Sequence, residues 1–149
     1  EVRLRAFLDA FGRLNRDHGL PVIISTHPRT RQRLQALEGA DSNPGIRFLE
    51  PFGFFDFITL EREAFCVLSD SGTVQEECAI FGVPNITLRD ATERPETLEC
   101  GSNVLSGADP DRIQALVEVV TRAQAWVPPA EYLKANVAGT VIRIVTGHL

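Results

Sequence analysis

The sequence contains no methionine, and Lys134 is the lone lysine among its 15 basic residues. With 20 acidic residues the net charge is −5, which argues against a nucleic-acid partner, because a polyanion is bound by a net basic surface. The arginine excess reads as genomic bias rather than as a binding surface. The 3 cysteines, Cys66, Cys78 and Cys100, are widely spaced and match neither a disulfide framework nor a zinc spacing. That points to a reducing cytoplasm and to no metal site. No apolar run approaches the ~20 residues that span a bilayer, and no signal-peptide pattern opens the chain, so no membrane association is expected. Because methionine is missing and the first residues already read as helix, the chain is expected to be a piece of a longer protein.

What is present suits one domain. The 149 residues are 44% hydrophobic and 23% charged, enough for a core of ordinary size. Leu4, Phe7, Leu8, Phe11 and Leu14 recur at helical spacing before Gly19. "PVIIST" (Pro21 to Thr26) is a short β-branched run that suits a strand buried on both faces. "PRTRQRLQALEG" then reads as a helix ended by Gly39, "GIRFLEP" as a strand and "FFDFITLEREA" as a helix. "FCVLSD" is a strand, "TVQEECAIFG" a helix closed by Gly82, and "VPNITLR" a strand. A short helix around Glu93 to Glu99 precedes the strand "SNVLSG". Asp109 caps a last regular helix with Pro110 in its first turn, and Ile113, Leu116, Val117 and Val120 line one face. Pro128 and Pro129 set off a final segment, Ala130 to His148, with strand propensity and helical spacing; the helix is taken. Strands alternating with helices over short connections predict an α/β fold, an open parallel Rossmann-like sheet with helices on both faces.

In such a sheet ligands sit beyond the carboxyl ends of the strands. Asp70-Ser71-Gly72-Thr73 falls at one of these ends. Gly72 leaves room for a close approach, and the free N–H groups of the next helical turn favour an anion such as a diphosphate. Ser71 and Thr73 add hydroxyl donors, and Glu77, one turn on, can accept from two hydroxyls of a sugar ring. The same residues admit a structural reading: a helix cap at Asp70, Ser71 or Thr73, with Thr73 and Glu76 as a capping box. The loop Glu93-Arg94-Pro95-Glu96 follows the next strand, on the same sheet edge. Its arginine is either part of an exposed ion cluster or a cation held in place for an anion.

"SDSGTVQEECAIFGVPNITLRDATERPETLECGSN" closely resembles the UDP-N-acetylglucosamine 2-epimerase family. "STHPRTRQRL" resembles the family's HPRT segment and "NVAGTVIRIV" its closing helix, so the resemblance runs along essentially the whole chain. It implies the C-terminal domain of a two-domain, glycosyltransferase-B-like (GT-B-like) fold, over residues 1–149, with the N-terminal domain absent. It implies an isomerase, cytoplasmic and bacterial, that interconverts UDP-GlcNAc and UDP-ManNAc for surface-polysaccharide synthesis. The C2 proton is removed, UDP is eliminated, and UDP is added back after reprotonation on the other face.

By that resemblance Ser71, Gly72 and Thr73 hold the diphosphate, Glu77 the ribose hydroxyls, and Arg94 lines the UDP site. Phe57 matches an aromatic position near the uracil and His27 the histidine of HPRT. Read from their surroundings alone, Phe57 is core and His27 a cap of the following helix. Arg29, Arg31 and Arg33 belong to a solvated helix face, and nothing marks His18 or His148 as functional. Thr73 stands where the family's commonest form has a second glycine, as in relatives acting on other UDP-HexNAc sugars. The resemblance implies a UDP-sugar ligand, a homodimer for the full-length enzyme, and no cofactor. The acid and base are expected in the missing N-terminal part, so this chain is expected to be inactive alone. A hydrolysing 2-epimerase, an epimerase of another UDP-HexNAc, a GT-B glycosyltransferase and a non-catalytic nucleotide-sugar-binding module are the alternatives.

Overall fold

The computed structural model describes residues 2–35, 43–122 and 125–147. Gly39 and His148, named above, lie outside them. Helices and strands alternate as the patterning predicts: α1 (Val2–His18), β1 (Val22–Ser25), α2 (Pro28–Gln35), β2 (Ile46–Leu49), α3 (Phe54–Arg62), β3 (Val67–Ser69), α4 (Gly72–Phe81), β4 (Asn85–Thr87), α5 (Pro95–Glu99), β5 (Asn103–Leu105), α6 (Pro110–Val120) and α7 (Val137–Thr146). The local punctuation has the expected chemistry. Gly82 closes α4 in the left-handed region at φ 74° and returns its N–H to the Cys78 carbonyl, a conformation that costs glycine nothing. The Asp109 side chain caps α6 by accepting from the Asp111 and Arg112 N–H groups at 2.9 and 3.1 Å.

All the strand pairs are parallel, but they form two ladders, β1-β2 and β3-β4-β5. The one continuous sheet expected from the sequence is therefore divided. Ile24 of β1, Leu68 of β3 and side chains from α1 and α3 line a cavity of about 670 Å3. Among the described residues no strand pairing joins the two ladders. A second expectation also changes. β1 is not buried on both faces: it alternates half-buried Val22 and Ile24 with exposed Ile23 and Ser25, and β2 alternates in the same way. One face of that ladder turns inward and the other is open, which is the period-2 pattern of a half-buried strand.

The β3-β4-β5 ladder is covered on both faces. Leu68, Ile86 and Val104 pack with Ala10 and Leu14 of α1 and with Ile113, Val117 and Val120 of α6. On the other face Val67 joins Val74 and Cys78 of α4, with Phe57 of α3 packed against them. That second face is polar at Asn85, Thr87 and Asn103: Asn85 stands opposite Asn103 in the parallel register, and Thr87 Oγ1 donates to Asn103 Oδ1. Asn85, Thr87 and Asn103 are all buried, so this face must be held by hydrogen bonds rather than by apolar packing.

The final segment returns along the α4–α5 side. Trp126 Nε1 donates to the Ala79 carbonyl at 3.0 Å, and the Tyr132 hydroxyl donates to the Glu96 carboxylate. α7 is a helix, as taken from its spacing, yet none of its residues is buried. Among the described residues no helix is long and apolar enough to cross a membrane.

Candidate functional site

β3 and β4 are adjacent and parallel, so the loops leaving their carboxyl ends meet. The Asp70–Ser71 turn leads into α4, and the loop after β4 leads through Arg94 into α5. α4 starts at Gly72, with Ser71 as its N-cap residue (φ −88°, ψ 132°) and no side-chain cap bond there. The Thr73–Glu76 capping box does not form, because Thr73 already lies inside the helix and Glu76 is taken by another group. That group is Arg94, whose Nε donates to Glu76 Oε1.

The Arg94 guanidinium is thereby laid over the start of α4. A β-carbon added at Gly72 would stand 3.7 Å from Arg94 Nη2, so the glycine leaves open the space between the cation and the helix N-terminus. Arg94 Nη1 donates back to the Glu93 carbonyl at 3.2 Å. The two carboxylates that flank Arg94 in sequence do not bind it: Glu93 pairs with Arg89 at 3.6 Å, and Glu96 accepts from Tyr132. The bond to Glu76 raises the Arg94 pKa further. The site therefore combines a fixed planar cation with the N–H groups of a helix's first turn, and both favour a bound anion.

A buried polar network ties the two loops together from below. Gln75, fully buried on α4, donates from Nε2 to the Ser71 carbonyl at 3.3 Å. Its Oε1 accepts from Thr92 Oγ1 at 2.6 Å and from Asn103 Nδ2 at 3.1 Å. Thr92 Oγ1 in turn accepts the Arg94 N–H at 3.0 Å, and Thr97 Oγ1 donates to the Arg94 carbonyl at 2.7 Å. Asn103 Nδ2 also reaches Thr97 Oγ1 at 3.1 Å, and Thr87 Oγ1 donates to Asn103 Oδ1 at 2.9 Å. The backbone at Ser71 and at Arg94 is thus held by one set of side chains. Sequence reasoning missed this set, although a glutamine, an asparagine and three threonines, Gln75, Asn103, Thr87, Thr92 and Thr97, were there to be noticed.

The remaining expected residues are placed as follows. Thr73 is exposed beside the turn and Glu77 is half-buried one turn further along α4. Phe57 is half-buried against the Val74–Cys78–Val83 cluster, and it also lines the cavity that reaches Ser69 and Asp70. His27 is exposed between β1 and α2, and its carbonyl accepts the Thr30 and Arg31 N–H groups that open α2. Ser25 and Thr30, on either side of it, line the same cavity. Arg31 pairs with Glu50. Glu61, not singled out from the sequence, is buried on α3, and its Oε1 accepts from the Cys78 thiol of α4 at 3.7 Å; a carboxylate four residues after Phe57 on an inward stripe was the available signal.

Known proteins resemble this chain along its whole length. A family model described as UDP-N-acetylglucosamine 2-epimerase matches residues 1–146. The UDP-N-acetylglucosamine 2-epimerase of Methanocaldococcus jannaschii is 38% identical over 148 residues, which cover 97% of this chain and 40% of that protein. The UDP-2,3-diacetamido-2,3-dideoxy-D-glucuronate 2-epimerase of Pseudomonas aeruginosa is 38% identical over 112 residues, covering 75% of this chain and 30% of that protein. The crystal structure of the M. jannaschii UDP-GlcNAc 2-epimerase in complex with UDP-GlcNAc and UDP matches with a TM-score of 0.89 at 37% identity, over 97% of this chain and 40% of that one. The UDP-N-acetylglucosamine 2-epimerase structure from Rickettsia bellii also gives a TM-score of 0.89, at 34% identity, over 99% of this chain and 42% of that one. The chain spans about 40% of the length of the relatives it matches.

Proposed function

The chain belongs to the UDP-N-acetylglucosamine 2-epimerase family, and from that premise we propose that residues 1–149 are the UDP-binding C-terminal domain of a two-domain, GT-B-like 2-epimerase. The whole protein, a cytoplasmic isomerase, interconverts UDP-GlcNAc and UDP-ManNAc. The observation that carries this reading is the Arg94 guanidinium held over Gly72 at the start of α4. Elimination of UDP from C1 leaves a diphosphate that must be retained until it is added back. A fixed guanidinium and the first N–H groups of α4 stabilise that charge without rearranging.

Ser71, Gly72 and Thr73 then surround the diphosphate, with Glu77 accepting from the ribose hydroxyls. Phe57 lines the cavity on the uracil side, and His27 lies in the chain between Ser25 and Thr30, which also line it. The proton chemistry at C2 is assigned to the part of the relatives' length that this chain does not span, since an acid and a base must both reach the sugar. A second substrate is favoured by one observation. The P. aeruginosa relative is a 2-epimerase of a different UDP-sugar, and Thr73 leaves a bulkier, hydroxyl-bearing turn than glycine would.

Calorimetric titration with UDP and with pyrophosphate tests the reading. Glu77→Ala is expected to weaken UDP by about tenfold or more, the loss of a charge-assisted hydrogen bond, and to leave pyrophosphate nearly unchanged. Equal losses for both ligands would remove Glu77 from the ribose. Incubation of the full-length protein with UDP-GlcNAc, followed by NMR, separates UDP-ManNAc from free sugar and from no reaction.

A further inference from the structure

Residues 125–136, between α6 and α7, have no part in the nucleotide reading, yet they reach the Arg94 loop. The segment is tied down at two points. Trp126, half-buried, donates from Nε1 to the Ala79 carbonyl at 3.0 Å. That carbonyl is one of the last four of α4, which have no N–H partner within their own helix, so the indole completes the helix end. Pro128 and Pro129 follow and fix two successive φ angles. The Pro129 carbonyl then accepts the Tyr132 N–H at 3.0 Å, and the Ala130 carbonyl accepts the Leu133 N–H at 3.2 Å. These bonds close a turn, and from it the Tyr132 hydroxyl donates to Glu96 Oε1.

Glu96 lies in the first turn of α5, two residues after Arg94, which is the N-cap residue of that helix. Arg94 therefore has three carboxylates to choose from: Glu76 across from α4, and Glu93 and Glu96 beside it in the chain. The structure gives each a different partner. Glu93 pairs with Arg89 at 3.6 Å, and Glu96 accepts from Tyr132. Among the described residues Glu76 is the one carboxylate ion-paired with Arg94. The division matters for an anion site. A guanidinium has five N–H donors, and every carboxylate that closes on it occupies donors and offsets charge that a bound diphosphate needs. Glu93 has a cation of its own, whereas Glu96 has only a neutral hydroxyl, and its nearest cation along the chain is Arg94. Burial first, and then this bond, raises the Tyr132 pKa, while the same bond lowers that of Glu96; a neutral phenol donates to an ionised carboxylate.

We propose that Tyr132 is a positioning residue: its hydroxyl holds the Glu96 carboxylate off Arg94, so that the guanidinium keeps Glu76 as its one carboxylate partner and leaves its remaining N–H groups to the diphosphate. The proposal rests on the assignment of Arg94 to the diphosphate. It makes the chain after α6 part of the anion site although Tyr132 acts on the ligand only through Glu96 and Arg94.

The test is calorimetric titration of UDP into the full-length protein and a two-by-two set of variants at one pH. Tyr132→Phe keeps the ring and removes the hydroxyl. It is expected to weaken UDP about tenfold, the lower end for one charge-assisted hydrogen bond. Glu96→Gln is expected to bind like the wild type, because its amide oxygen still accepts from Tyr132 and brings no charge to Arg94. Tyr132→Phe combined with Glu96→Gln is expected to bind like Glu96→Gln, since no carboxylate is left to restrain. A packing role for the tyrosine would give no such rescue; lost packing weakens UDP in both backgrounds alike. Tyr132→Phe that binds like the wild type, or a combined variant as weak as Tyr132→Phe, would overturn the proposal. Arg94→Lys, titrated beside them, separates this role from the reading beneath it. If Arg94→Lys weakens UDP and Tyr132→Phe does not, the tyrosine's role fails and the nucleotide site stands. Wild-type protein that does not bind UDP would overturn the nucleotide reading and this role with it.

Discussion

Replacing Arg94 by lysine is expected to lower UDP affinity, and the turnover of the full-length enzyme, by at least about tenfold while leaving the fold intact. The guanidinium does two things at once. Its Nε is fixed by Glu76, and its Nη2 stands over Gly72, 3.7 Å from where a β-carbon would be. A lysine ammonium is one compact point of charge and cannot occupy both places. If it stays with Glu76 the anion loses its partner, and if it turns to the anion, Glu76 is left as an unpaired negative charge beside the diphosphate. Each lost charge-assisted hydrogen bond corresponds to about 1.5–3 kcal/mol, so a tenfold loss is the lower end. The fold should survive because the Arg94 main chain is held by Thr92 and Thr97, not by its own side chain. UDP calorimetry and steady-state turnover of Arg94→Lys measure the effect. Near-normal values with an unchanged melting temperature would return Arg94 to the solvated ion cluster that its flanking carboxylates suggest.

Gln75→Leu is expected to be the most damaging single change to stability among those considered. The side chain is fully buried and leucine has a similar volume, so the loss is polar rather than steric. It removes the donor to the Ser71 carbonyl and the acceptor for Thr92 and Asn103. Asn103 keeps Thr97, but Thr92 and Ser71 each lose the bond that Gln75 supplied. A buried group without its partner costs about 1–3 kcal/mol, so a loss of about 2–4 kcal/mol is expected. For a domain of this size that lowers the melting temperature by roughly 5–12 °C. UDP affinity should fall too, because the Ser71 turn and the Arg94 loop are no longer held in one geometry. Circular dichroism melting of Gln75→Leu beside Thr92→Val measures it, the valine variant being expected to lose less. A melting temperature within about one degree of the wild type would show that the network is dispensable.

Much of the site was legible before any coordinates. The Gly72 turn, the helix closed by Gly82, and the arginine loop after the next strand all depend on local chemistry. The position of that loop beside the Ser71 turn follows from the rule that parallel strands expose their carboxyl ends on one edge. The partner of Arg94 was not legible. Nearest in sequence are Glu93 and Glu96, yet Glu93 meets Arg89, Glu96 meets Tyr132, and Glu76 takes the arginine. Proximity along the chain misleads here because residues 93–96 straddle the start of α5, where neighbouring side chains point in different directions. The reading of "PVIIST" failed for a related reason. A short apolar run has the same composition whether one face or two are covered, and cover depends on which helices pack nearby.

By itself the amino-acid sequence determined the alternation of parallel strands and helices, the caps at Gly82 and Asp109, and the candidate anion turn. These follow from hydrophobic period, turn chemistry and helix-end chemistry, which act over a few residues. Only the tertiary structure decided which distant polar groups meet. Arg94 and Glu76 are 18 residues apart, and Gln75 and Asn103 are 28 apart. The register that sets Asn85 opposite Asn103 belongs to strands joined through α5. Glu61 and Cys78, 17 residues apart, meet only because α3 packs on α4. A local pattern can assign a side chain to the inward face of its own element. The identity of the group it meets there is set by the register and crossing of elements far away in sequence, because the hydrogen bonds of a buried polar face are satisfied collectively across elements.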